Sequence, residues 1–357
     1  LLQAGRPQEA FRACLARAEQ LGEAHLDNVG LFETALDLWD QVNDPESISG
    51  GGRDDLLLRA ARAANRTGDS HRVYKLARAC LDATPADADR SVRAHRMVTL
   101  AEAMEFSGAG DGLALANEAF TLIAQDPPGT AWLGAIALIA QLEMLRGDRR
   151  VAVRRAEEGL VLADSLGTMR YQRRLRNTRA SALANLGHED ESHRVLAELC
   201  ERLPQHSEPG EPESAARSQV ETLERSQIRH FINFSHVLNL AGEYERAADV
   251  ARKGMDRARE LGLARSSGAM ASGNRAEPLL ALGRWSEADT LVEQALSHGP
   301  PMEYFIQLLA LRGELAWLRG DPRRARSCSD ELLRIVNSRH AQPQQLVHVH
   351  WVAARLD

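Results

Sequence analysis

The sequence predicts an all-α solenoid of stacked antiparallel helical hairpins, and three observations carry that prediction. A short pattern, glycine followed five residues later by alanine, recurs as GRPQEA from Gly5, GDRRVA from Gly147, GEYERA from Gly242, GRWSEA from Gly283 and GDPRRA from Gly320, with weaker copies from Gly68, Gly108 and Gly187. Successive repeat glycines lie 63, 40, 39, 40, 55, 41 and 37 residues apart, so the unit is close to 40 wherever nothing is inserted. Two whole hairpins also match at an offset of 95. GDRRVAVRRAEEGLVLADSLG (147–167) and GEYERAADVARKGMDRARELG (242–262) share both end glycines, the inner glycine, three alanines and the final leucine.

Each element has a physical reason. Glycine ends the first helix because it enters the left-handed region without steric cost. Alanine five residues on lets the second helix lie close against the first. Small residues at i, i+4 and i+7, such as Ala152, Ala156 and Gly159 or Ala247, Ala251 and Gly254, then share one face of the second helix. Units of this kind are tetratricopeptide-like, and the expected fold is a right-handed α-solenoid of about eight hairpins, or about sixteen helices. Ala152, Ala156, Ala247, Ala251 and Ala288 are expected to be buried.

The two long spacings mark insertions. Between Gly5 and Gly68 the sequence predicts an extra helix, Leu26 to Val42, and a loop from Asn43 to Asp54 with three glycines. Between Gly187 and Gly242 lies PQHSEPGEPES (204–214), read as a flexible loop that divides two arcs, 1–203 and 215–357, of one solenoid. Only Leu1 to Ala4 precede the first repeat glycine, and Leu346 to Leu356 starts a helix with no partner after it, so a single solenoid truncated at both ends is expected.

Composition narrows the function. With 44% hydrophobic and 26% charged residues, the chain has ample core for a folded protein. A net charge of −6 gives no basic field for nucleic acid or an anionic membrane. The longest nearly uncharged stretch, Thr130 to Leu142, is shorter than the roughly 20 residues a bilayer requires and reads as a buried core helix. Cys14, Cys80, Cys200 and Cys328 form no CxxC pair, follow the repeat register and read as core filler in a reduced, cytoplasmic compartment.

No phosphate loop, GxGxxG, GxSxG or HExxH occurs, and no catalytic residue, metal site or cofactor is expected in this segment. His188 and His193, like His348 and His350, lack the i, i+4 spacing that puts two imidazoles on one helical face. The run RYQRRLRNTR (170–179) holds five arginines beside Tyr171, which reads as an anion-binding patch or as compositional bias in a chain whose only lysines are Lys75 and Lys253.

With the repeats placed, the chain resembles the MalT-type helical-repeat region of large ATP-binding transcriptional regulators of the LuxR family. The most specific stretches are LFETALDLWDQV (31–42), DLLLRAARAANRTGD (55–69) and SGAMASGNRAEPLLALGRWSEADTLVEQAL (267–296). The resemblance implies a sensor and scaffold for an inducer or regulatory protein, with an ATPase module and a helix-turn-helix elsewhere in the same chain. The competing reading is a stand-alone tetratricopeptide adaptor that binds a peptide segment, and an enzyme of unknown class is a third. Under the two binding readings the concave face formed by the first helices holds the ligand. Counting back from Gly187, Gly242 and Gly283 places Arg173, Asn177, Ser181, Arg229, His236, Asn239 and Glu277 there.

Overall fold

The computed structural model describes residues 5–21, 27–201, 213–337 and 343–354, and every regular element among them is helical. The eight repeat glycines all adopt positive φ, from +65° at Gly5 to +99° at Gly147, which is the left-handed backbone that ends a helix. Several second helices start on an aspartate cap. The Asp69 carboxylate accepts from the Arg72 amide and that of Asp111 from the Ala114 amide.

The order is α1 (Pro7–Leu21), α2 (Asn28–Leu38), a 3-10 turn at Trp39–Gln41 and the five-residue α3 (Pro45–Ser49). Seven complete hairpins follow: α4 (Arg53–Thr67) with α5 (Ser70–Ala83), α6 (Arg90–Ser107) with α7 (Gly112–Leu122), α8 (Thr130–Arg146) with α9 (Arg149–Ser165), α10 (Met169–Ala184) with α11 (Glu189–Glu201), α12 (Glu213–Leu240) with α13 (Tyr244–Glu260), α14 (Ser267–Ala281) with α15 (Trp285–Ser297), and α16 (Met302–Leu318) with α17 (Pro322–Asn337). The last helix is α18 (Pro343–Ala354). This is the tetratricopeptide-like right-handed solenoid that the repeat predicts.

Two expectations about insertions are corrected. The extra helix stops at Leu38 and tightens into the 3-10 turn, and the stretch expected as loop contains α3 before α4 begins at Arg53. The segment 204–214 lies outside the described residues as far as 212, and Glu213 and Ser214 already belong to α12.

Packing follows the small residues. Ala152, Ala156, Ala247, Ala251 and Ala288 are all 0% exposed. A Cβ on Gly254 would stand 2.9 Å from Phe231 Cβ, and one on Gly159 would stand 2.9 Å from Leu175 Cδ1, so α13 and α9 reach their neighbours only where a side chain is missing. Along α8 every residue from Leu133 to Leu142 is buried, the all-round burial expected of a central helix. Cys80, Cys200 and Cys328 are buried and Cys14 is half-buried, all as free thiols.

From α6 onward each first helix touches the first helix of the next unit, through α8, α10, α12, α14 and α16 to α18, so these helices form a continuous inner wall with the second helices outside. The wall curls until it meets itself. Helix α16 reaches α6 and α18 reaches α8. Ser70 Oγ donates to the Glu303 carboxylate at 3.1 and 3.2 Å, and Gly68 lies so near that a Cβ there would stand 2.7 Å from Pro301 Cγ. Among the described residues, no helix is long and apolar enough to cross a membrane.

Candidate functional site

The curled inner wall encloses a space lined by the first helices. Its register is read from the repeat glycines: His95, Arg174, Arg229 and Gln307 each lie thirteen residues before the glycine that ends their own helix. Gln141 Oε1, on α8, accepts hydrogen bonds from Arg229 at 2.8 Å and from Arg174 at 3.1 Å. Arg174 also pairs with Glu102 on α6 at 3.3 Å. Arg229 is exposed, and the charge of the neighbouring Arg174 acts to lower its pKa while Glu102 opposes it. Arg229 therefore faces solvent on the inner wall, beside Gln141 of α8 and Arg174 of α10. On α16, where Tyr304 packs against the apolar cluster shared with α14 and α15, burial pushes its hydroxyl well above the usual range, with Glu303 acting in the same direction.

A second network crosses the next three units. Asn239 Nδ2 donates to Glu277 Oε2 at 3.4 Å, and Gln307 Nε2 donates to Glu277 Oε1 at 2.9 Å and to Asn274 Oδ1 at 3.2 Å. Buried Asn274 in turn donates to the Ile232 carbonyl at 2.8 Å, which ties α12 to α14. Of the sequence-derived residues, Arg229, Asn239 and Glu277 therefore belong to hydrogen-bonded clusters along the inner wall. His236 is exposed on α12, two turns beyond Arg229 on the same face.

Arg173, Asn177 and Ser181 are placed differently. They share a face of α10 that packs toward α11 and α12 and is buried. Arg173 Nη2 donates to the Leu199 carbonyl at 2.6 Å and to His230 Nδ1 at 3.2 Å. Ser181 Oγ donates to the Asn177 carbonyl at 2.9 Å. Burial and then Arg173 pull the His230 pKa down to about 3, so the ring is neutral, with its Nδ1 between the Arg173 guanidinium and the Leu199 carbonyl, 3.3 Å away. The arginine that faces the cavity is Arg174. For Arg173, counting fourteen residues back from Gly187 but thirteen from Gly242 turned the assignment by one position, or about 100° around the helix. Ser181, by contrast, stands six residues before its glycine, as His236 and Glu277 do, and is buried nonetheless.

The arginine run is mostly consumed by pairing. Arg176 meets Glu198 at 2.8 Å, and Arg179 bridges Glu157 at 2.9 Å and Glu191 at 2.6 Å. Arg170 is exposed over the Tyr171 ring. Glu102, Gln141, Arg174, Tyr304 and Gln307 were not foreseen. Glu102 and Gln141 stand six residues before their glycines, the position of His236 and Glu277 in their own units, so one consistent count would have found them.

No family model and no curated protein matches the sequence. Among solved structures the fold is similar to that of a Rap protein complexed with competence and sporulation factor, at 12% identity and a TM-score of 0.61 over 98% of this chain and 97% of that one. It is similar to NprR in complex with its cognate peptide NprX, at 13% identity and a TM-score of 0.56 over 99% and 98% of the two chains. The Rap conjugation gene regulator of plasmid pLS20, in complex with the Phr* peptide, matches at 11% identity and a TM-score of 0.52 over 92% and 96%. At these identities the likeness is one of fold: the chain is a helical-repeat solenoid of the architecture those proteins share.

Proposed function

We propose that this solenoid binds a peptide segment within its enclosed interior. The observation that carries the reading is the inner register, in which Arg174, Arg229 and Gln307 stand at one repeat position on three different first helices and line a solvent-accessible space. A peptide main chain presents a donor and an acceptor at nearly every residue, and such side chains can meet both. Two of the structural neighbours carry a bound peptide, which supports the same reading.

Two settings accommodate this activity. In one, the chain is a stand-alone adaptor, which the peptide-bound neighbours favour. In the other, drawn from the sequence resemblance, it is the sensor of a cytoplasmic LuxR-type regulator, and an inducer or regulatory protein supplies the segment. Occupancy then biases an ATPase and a helix-turn-helix in the same chain, which requires different affinities for the two states. Among the sequence-derived residues, Arg229, His236, Asn239 and Glu277 are proposed as ligand contacts, and Arg173, Asn177 and Ser181 as supports behind the wall.

The test is selection of a displayed random decapeptide library on the purified chain, followed by affinity measurement on two variants. His236→Trp narrows the interior, whereas Val161→Trp alters the outer helix α9 at a residue 74% exposed. Recovered peptides should bind His236→Trp at least tenfold more weakly and Val161→Trp unchanged. Equal binding to both, or loss only with Val161→Trp, places the ligand outside and sinks the reading.

A further inference from the structure

Many of the described arginines pair with a carboxylate and others do not. On the outer helix α13 Arg252 meets Asp249 at 2.6 Å and Arg257 meets Glu260 at 2.6 Å. On the inner wall two guanidinium groups meet at one neutral acceptor. Arg229 makes no ion pair with any described carboxylate and holds one hydrogen bond, to Gln141 Oε1. Arg174 shares that same oxygen, so two guanidinium groups from α10 and α12 converge on a neutral amide, and Glu102 is the one acidic side chain in contact among the described residues. One turn before Arg174, Arg170 is exposed and also has no carboxylate partner among the described residues. Its field, with those of Arg62 and Arg96, adds to burial in pulling His95 down to about 4.

We infer that the interior is built for an acidic peptide, with an aspartate or glutamate side chain seated against Arg229 and Arg174. This rests on the peptide-binding reading above and adds the chemistry of the ligand. Two cations that share one neutral acceptor repel one another, and an anion between them removes that repulsion and gains charge-assisted hydrogen bonds. The N–H groups that Arg229 does not direct to Gln141 are free to donate, and a guanidinium can grip a carboxylate through two parallel bonds. A polyanion such as nucleic acid is disfavoured by the net charge of −6 and by an inner wall that closes on itself.

The experiment runs the decapeptide selection in parallel on the wild-type chain and on Arg229→Gln, which keeps a donor at the cavity and removes the charge. The leading wild-type peptide is then compared with its own Glu→Gln or Asp→Asn version. Enrichment of an acidic residue at a fixed position is expected with the wild type and not with Arg229→Gln. Neutralising that residue should cost at least tenfold in affinity for the wild type and less than twofold for the variant, with both proteins giving the same melting curve. A neutral or basic consensus whose binding is still blocked by His236→Trp overturns the acidic ligand and leaves the peptide reading intact. Enrichment of no sequence by either protein overturns the peptide reading, and the acidic ligand with it. Binding of sodium citrate with the same Arg229 dependence, but of no peptide, identifies a small-anion site and also refutes this inference.

Discussion

Arg173 lies one residue from a cavity side chain, so its role is best tested through its partner. In the folded protein His230 is 1% exposed and neutral, with a pKa pushed down to about 3 from the ordinary 6.5 by burial and by Arg173. As pH falls below 6.5 the unfolded chain takes up a proton there and the folded chain does not, so stability falls. At pH 5 any folded value below about 4 leaves the ring neutral, and the loss relative to pH 8 comes to about 2 kcal/mol for this one residue. His230→Gln keeps an acceptor for Arg173 in a group that does not titrate. Urea unfolding followed by far-UV circular dichroism at the two pH values should therefore show the acid-induced loss of stability shrink by about 2 kcal/mol in the variant. His95, pulled down to about 4, acts in the same direction and leaves both proteins a residual pH dependence. Equal acid-induced losses in the two proteins would refute the buried neutral pair.

Further expectations concern packing, closure and the thiols. Ala247→Leu adds bulk where exposure is 0%, and overpacking of this kind should lower stability by about 1–3 kcal/mol in the same unfolding assay. Gly68→Val adds a side chain at a residue with φ +73°, where a Cβ meets Pro301 Cγ at 2.7 Å and Ser266 Cβ at 3.0 Å. It should part the two ends of the curl and raise the radius of gyration in small-angle X-ray scattering, with helix content unchanged. Burial pushes the Cys80 thiol up to about 11 and the Cys200 thiol up to about 12. Both should resist a disulfide reagent at pH 8 until urea is added, while half-buried Cys14 reacts sooner.

The fold was legible because its constraints are local. A left-handed glycine at each helix end and a close-packed alanine five residues later leave few alternatives for the chain between them. Closure was not legible, since the contacts of α6 with α16 and of Ser70 with Glu303 join residues some two hundred positions apart, and no local pattern encodes that pitch. The cavity was half legible. Arg229, Asn239 and Glu277 were placed on the inner wall because the count from the repeat glycine fixes the helix face, whereas Arg173 was chosen over Arg174 because a slip of one residue turns a helix by about 100°. Gln141 was hidden for another reason. It is a polar residue in a helix otherwise apolar from Leu133 to Leu142, and its meaning depends on two arginines from later units.

The most direct test of peptide binding inside the curl is site-specific photo-crosslinking. Benzoylphenylalanine replaces Tyr304 on the inner wall in one protein and Trp285, 37% exposed at the start of the outer helix α15, in another. Each is irradiated with a labelled peptide recovered by selection. The expected result is a covalent adduct from position 304, abolished by excess unlabelled peptide, and none from position 285. An adduct at position 285 alone would contradict binding in the interior.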